Sequence, residues 1–310
     1  MVDNPSATYP LLFEPNLRTM VWGGSRLTQW KHLPLQDHIG ESWEVSTFLS
    51  MPSVVANGPC AGMTLEEVLG LPLPLLVKFI DSRHDLSIQV HPNDEMARRR
   101  HHCLGKSEMW YIINVQPGGF LYSGFSKHIT PEEYKQRIAD GTITEVLARH
   151  ELRPGDVFYI PAGRVHAIGA GVLLAEIQQS SDMTYRIYDY GRLGLDGKPR
   201  QLHTDLAAEA LDFNVYPDYR TEWKRELPVS NCLTTPFFTV NHIQTTEQFQ
   251  RNLLHHNSFV ILLSLRGNCR ITADGHTVTL TEANSCFLPT PLTDYTILPD
   301  GEIELLETYL

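Results

Sequence analysis

No apolar stretch of this chain approaches the roughly 20 residues that a helix needs to span a bilayer. The most apolar segment, residues 71–79, contains two prolines and a lysine. The N-terminus, MVDNPSATYP, lacks the basic start and apolar run of a secretory signal, so the expected setting is the cytoplasm. Cysteine is sparse. The five residues Cys60, Cys103, Cys232, Cys269 and Cys286 form no C-x-x-C pair, which argues against a disulfide framework and fits a reducing compartment. Basic residues are the minority sign, 25 Lys and Arg against 36 Asp and Glu, for a formal charge of −11. The one short basic run, Arg98 to His102, reads as a solvated helix or loop face. Nucleic acid and anionic membrane surfaces are therefore not expected partners.

Helical periodicity is also scarce. Twenty prolines and 21 glycines punctuate short apolar runs, the pattern of many strands joined by turns. Strands are expected at 75–80, 85–90, 108–114, 119–122, 157–161, 172–178 and 185–188. Short helices are expected at 64–69, where Thr64 and Glu67 have capping-box spacing, at 132–140 behind Thr130 and Pro131, and at 204–211. A polar, strand-poor stretch at 217–227 divides the chain into expected domains 1–216 and 217–310. Further strands follow at 237–243, 258–266, 269–273, 277–281, 285–289, 295–298 and 302–309, with turns at Arg266-Gly267-Asn268 and Ala273-Asp274-Gly275. The segment LRPGDVFYIPAGRVHAI (152–168) has a weak echo in LTEANSCFLPTPLTDYTI (280–297), so a mostly-β chain of two related jelly-roll barrels is expected.

Side chains able to bind a metal concentrate in the first half. Gln89 and His91 are two apart, so on a strand both face the same way. Glu108 opens the next strand, and His166 follows a strand and a Pro-x-Gly turn. Two histidines, a carboxylate and an amide oxygen on a barrel interior suit a divalent cation. His84, His101, His102, His128, His150, His203, His255 and His256 have no such context and read as surface or structural, the adjacent His255 and His256 being expected on opposite faces of a strand.

These segments, with VWGGSRL, GESWEVS, LLVKFID, LSIQVHP, GKSEMWYII, PGDVFYIPAGRVHAIG and LAEIQQSSDMTYRIYDYGR in order, resemble the cupin superfamily and, within it, the short bacterial form of the type I mannose-6-phosphate isomerases. The resemblance spans residues 9 to about 213. It implies two cupin-type barrels, a catalytic one and a metal-free one, and one Zn²⁺ per chain held by Gln89, His91, Glu108 and His166. It implies a sugar-phosphate substrate, interconverted between mannose 6-phosphate and fructose 6-phosphate through a cis-enediol, by a monomer or weak homodimer. Arg186, in TYRIYD, and Glu176 match active-site positions of the family, and Lys78, Ser87 and Lys106 match residues that line its sugar-phosphate pocket.

Aldose–ketose isomerisation needs a polarised carbonyl, positive charge at the developing enediolate, and a base that moves a carbon-bound proton. Arg186 suits the second task and Glu176 the third, although Lys106, His84 or a metal-bound water stay open as the proton carrier. Lys78 interrupts an apolar strand and so must snorkel or point into a polar cavity, where it would meet the phosphate. Trp22 and Trp43 would wall the sugar or pack in the core. Two histidines and a glutamate also suit an Fe(II) oxygenase, and a non-catalytic sugar-binding cupin is the alternative outside enzymes.

Overall fold

The computed structural model describes residues 8–290 and 292–310. It is mostly β, as the turn-rich pattern requires, with three sheets. A six-stranded antiparallel sheet runs in the order Leu17–Gly24, Ile39–Val45, Leu75–Ser82, Val172–Gln179, Glu108–Val115, Val157–Ile160. A five-stranded sheet faces it, ordered Tyr185–Tyr188, Ile88–Val90, His166–Ile168, Phe120–Phe125, Leu147–Glu151. The C-terminal third forms most of an eight-stranded sheet, to which the N-terminal pair Leu11–Leu12 adds an edge by pairing with Ser285–Leu288. The sheets do not close into barrels by hydrogen bonding among the described residues; the cupin character lies in two sheets facing each other across an interior.

The helices follow their caps. Thr64 accepts from Glu67 N while the Glu67 carboxylate accepts from Thr64 N, so the expected capping box opens Leu65–Leu69. Thr130 caps Pro131–Ala139 through its hydroxyl alone, which accepts from Glu133 N. The basic run lies on helix Asp94–His101 with Arg98, Arg99 and Arg100 exposed. Two readings of the C-terminal third need correction. Arg266-Gly267-Asn268 is not a chain reversal: Val260–Ala273 and Asp294–Tyr309 are single long strands, and the irregularity is absorbed as register shifts around Arg266, with Gly267 at φ +75°. His255 and His256 lie in a 3₁₀ turn with their rings 4.0 Å apart, not on opposite faces of a strand. The Ala273-Asp274-Gly275 turn does form, with Asp274 and Gly275 both at positive φ.

The six-stranded sheet is buried on both faces, which is why its central strands read as nearly unbroken apolar runs. Val77, Phe79, Ala175 and Ile177 pack into one core with Val240, Ile261, Leu263, Phe287 and Leu306 of the C-terminal sheet. Ile80, Trp110, Ile112 and Leu174 point the other way, toward the five-stranded sheet, in a separate cluster with Phe158 and Ile168. The layer order is thus C-terminal sheet, six-stranded sheet, interior, five-stranded sheet.

A buried ion pair pins the first interface. Lys31 Nζ lies 2.7 Å from Glu44 Oε1 and donates to the carbonyl of Ala283, while Ser285 Oγ donates to the Glu44 carbonyl at 3.1 Å. Removing one partner of a buried pair leaves a desolvated charge and costs about 3–5 kcal/mol. Lys31→Met is therefore expected to lower the unfolding free energy by about that amount, and Lys31→Met with Glu44→Leu to recover most of it, as read by urea denaturation.

Candidate active site

Two rows of residues, one on each facing sheet, build the site. On the six-stranded sheet the register aligns Trp43 with Lys78, Lys78 with Glu176, and Glu176 with Trp110. On the five-stranded sheet Arg186 is aligned with Gln89 and Gln89 with His166. Between them lies a cavity of about 270 Å³. Lys78, Ser87, Gln89, Lys106, His166, Glu176 and Arg186 all line it, and among the described residues none beyond His203 does, so the C-terminal sheet backs the six-stranded sheet rather than lining the pocket.

At one end His91, Glu108 and His166 converge, each bringing a donor atom within 4.8 Å of the others. His91 Nδ1 faces the Met183 carbonyl at 2.9 Å and His166 Nδ1 the Arg164 carbonyl at 2.8 Å. Each ring therefore carries its proton on Nδ1 and turns an Nε2 lone pair inward. Those nitrogens stand 3.4 Å from Glu108 Oε2 and Oε1 respectively. Acceptors thus face acceptors: His91 Nε2 and Glu108 Oε1 are buried without a hydrogen-bond partner among the described residues, and Glu108 Oε2 meets only the Lys106 ammonium besides His91. Such an arrangement fits a cation between them. Burial, reinforced by Lys106, pulls the His91 imidazole down to about 4, so the ring is neutral near pH 7 and able to ligate a cation. Burial alone would lift Glu108, yet the Lys106 ammonium beside it holds it well below the usual carboxylate range. Gln89 Nε2 is 3.3 Å from His166 Nε2; a half-turn of the amide would present its oxygen to the same point. The residues present fit a divalent metal held by two imidazoles, a carboxylate and an amide oxygen.

Beside this cluster Lys106 is buried, with Nζ 3.1 Å from Glu108 Oε2, so it is no surface lysine. Burial opposes its charge, but Glu108, Glu176 and Asp182 hold the ammonium above its ordinary range. Lys78 points into the polar cavity, 3.2 Å from Glu176 Oε1 and 3.9 Å from Glu41 Oε2, with the Trp43 ring at 5.0 Å. Glu176 also accepts from Trp110 Nε1 at 2.9 Å. Trp22 lines the cavity, while Trp43 is buried and donates to Glu41 at 2.6 Å.

Arg186 is half-buried and unclaimed by any ion pair among the described residues. Its Nε donates to Ser87 Oγ at 3.3 Å and its Nη1 to the Gln201 carbonyl at 2.9 Å. The two aspartates that would have made it structural are taken. Asp189 is bound by Arg192 and Arg200, and Asp182 lies 3.6 Å from Arg18. Asp189 and Arg192 stand behind the cavity wall, and His84 is exposed and lines a separate hollow, so His84 is out of reach as a proton carrier. The structure adds Arg18, Glu41, Arg200 and His203 to the lining. Glu41 was legible in GESWEVS, where it shares a strand face with Trp43; Arg18, Arg200 and His203 carry no local signal.

Comparison with known proteins agrees with this geometry. The family model for the phosphomannose isomerase type I catalytic domain matches residues 11–111, and that for the mannose-6-phosphate isomerase cupin domain matches residues 229–310. The chain is 33% identical to a mannose-6-phosphate isomerase of Bacillus subtilis over 98% of its own length and 99% of that protein's. It is 30% identical to one from Streptococcus mutans, over 97% and 98% respectively. The crystal structure of a mannose 6-phosphate isomerase from Bacillus subtilis superposes with a TM-score of 0.88 at 30% identity, covering 98% of this chain and all of that one. A zinc-bound mannose 6-phosphate isomerase shares the fold at 15% identity, with a TM-score of 0.78 over 97% of this chain and 99% of that one. With relatives matched end to end at this identity, the chain belongs to the mannose-6-phosphate isomerase family of enzymes.

Proposed function

We propose that this protein interconverts mannose 6-phosphate and fructose 6-phosphate through a cis-enediol, with one Zn²⁺ held by Gln89, His91, Glu108 and His166. The observation that carries the reading is the pair of inward imidazole lone pairs facing a buried carboxylate, whose one cationic neighbour among the described residues is Lys106, beside a polar cavity. When bound there, zinc would supply a Lewis acid for the substrate carbonyl. Glu176 removes the proton from C2 and returns it to C1, since it lines the cavity and its buried Oε1 is engaged, among the described residues, only by the Lys78 ammonium at 3.2 Å. Arg186 offers a guanidinium without a carboxylate partner to the negative charge that develops on the enediolate. Ser87, Lys78 and Lys106 hold the sugar phosphate against these groups. A coupled assay of mannose 6-phosphate turnover tests the reading; a metal-loaded protein that leaves this sugar phosphate unchanged would overturn it.

Lys78→Met keeps the bulk of the stem and deletes the charge. A charge-assisted hydrogen bond is worth roughly 1.5–3 kcal/mol, so kcat/KM is expected to fall at least about tenfold with zinc content unchanged. Unaltered kinetics would mean that Lys78 serves only Glu41 and Glu176.

A further inference from the structure

Successive residues of a strand point to opposite faces, and on the strand Glu108–Val115 this places two aromatic anchors back to back. Trp110 faces the cavity, donating to Glu176 Oε2 at 2.9 Å and standing edge-on to His166 at 5.4 Å. Tyr111 faces the C-terminal sheet. Its hydroxyl donates to Glu304 Oε1 at 2.7 Å, and its ring is stacked on His242 at 5.8 Å and 18°. His242 in turn meets the same Glu304 oxygen at 2.8 Å. We propose that the C-terminal sheet positions the proton carrier: Glu304 and His242 clamp Tyr111, and the clamp fixes the indole of Trp110 that orients Glu176. Tyr111 is then a positioning residue, without contact to substrate. The proposal rests on the role given to Glu176 above and assigns the C-terminal sheet a part in turnover that its distance from the cavity conceals.

Misplacing a reacting group by about 1 Å can cost up to about a hundredfold in rate. The displacement here is transmitted through one strand, so Tyr111→Phe in the full-length protein is expected to lower kcat about tenfold while KM and zinc content hold. Glu304→Leu should reproduce the loss, and Glu304→Gln, which keeps an acceptor for the hydroxyl, should restore most of the rate. With five tryptophans in the chain, the ¹⁵N-indole spectrum offers a second readout: the Trp110 resonance should shift in Tyr111→Phe. Ile297→Val, which trims the buried core of the C-terminal sheet away from the clamp, controls for lost stability and should lower the melting temperature without touching kcat. Wild-type protein that fails to isomerise mannose 6-phosphate would defeat the proposed function. An active wild type alongside a Tyr111→Phe variant with normal kcat and an unmoved Trp110 indole would defeat the clamp alone.

Discussion

His166→Ala is expected to remove both the metal and the activity. The ring supplies one of the inward lone pairs, and its Nδ1 is already engaged by the Arg164 carbonyl, so no rotation of another side chain replaces it. Loss of one ligand leaves Glu108 and His91 facing each other with an incomplete shell, and the apparent affinity falls steeply because the ligands act together. Elemental analysis should find about one zinc per wild-type chain and well under one in His166→Ala and His91→Ala. Chelation of the wild type should abolish turnover, and zinc should restore it. Two metals per chain, or activity that survives thorough chelation, would contradict the assignment.

The second large effect is expected at Arg186. Removing one preorganised donor at a developing oxyanion costs about 10²–10³ in rate. Arg186→Ala should therefore lower kcat and kcat/KM together, with zinc retained and KM little changed. Arg186→Lys should recover only part, because an ammonium cannot reach Ser87 and the Gln201 carbonyl as the planar fork does. A structural arginine would behave otherwise: the alanine variant would melt early, yet its folded fraction would turn over at nearly the normal rate. Melting temperature, zinc content and steady-state kinetics on one preparation separate the two, and the occupation of Asp189 by Arg192 and Arg200 already favours the first.

Part of the candidate metal site was readable in the chain because strand alternation is a local rule: Gln89 and His91 share a face whatever the rest of the fold does. Glu108, at the start of a strand, and His166, after a Pro-x-Gly turn, were singled out by their setting, but only long-range pairing brings them to the same point. The partnership of Lys78 with Glu41 and Glu176 depends on the register among three strands far apart in sequence, and register has no signature within any one of them. The burial of Lys106 comes from the loop that returns beside Pro92, a contact with no signature in its own segment. The merging of two expected strands into Val260–Ala273 shows why turn residues alone mislead, since a glycine at positive φ serves a bulge as well as a reversal.

The six-stranded sheet, covered on both faces, also constrains how the molecule is made. Leu11 and Leu12 find their partners only when Cys286 and Phe287 have been synthesised, and Val77 and Phe79 pack against Leu306, near the chain's end. During translation the first three-quarters of the chain must therefore carry an uncovered apolar sheet face, and its closing contacts are the most distant in sequence. Chains of this topology fold slowly and expose sticky intermediates. The same final strands that complete the core set the moment at which the newly made enzyme stops needing protection.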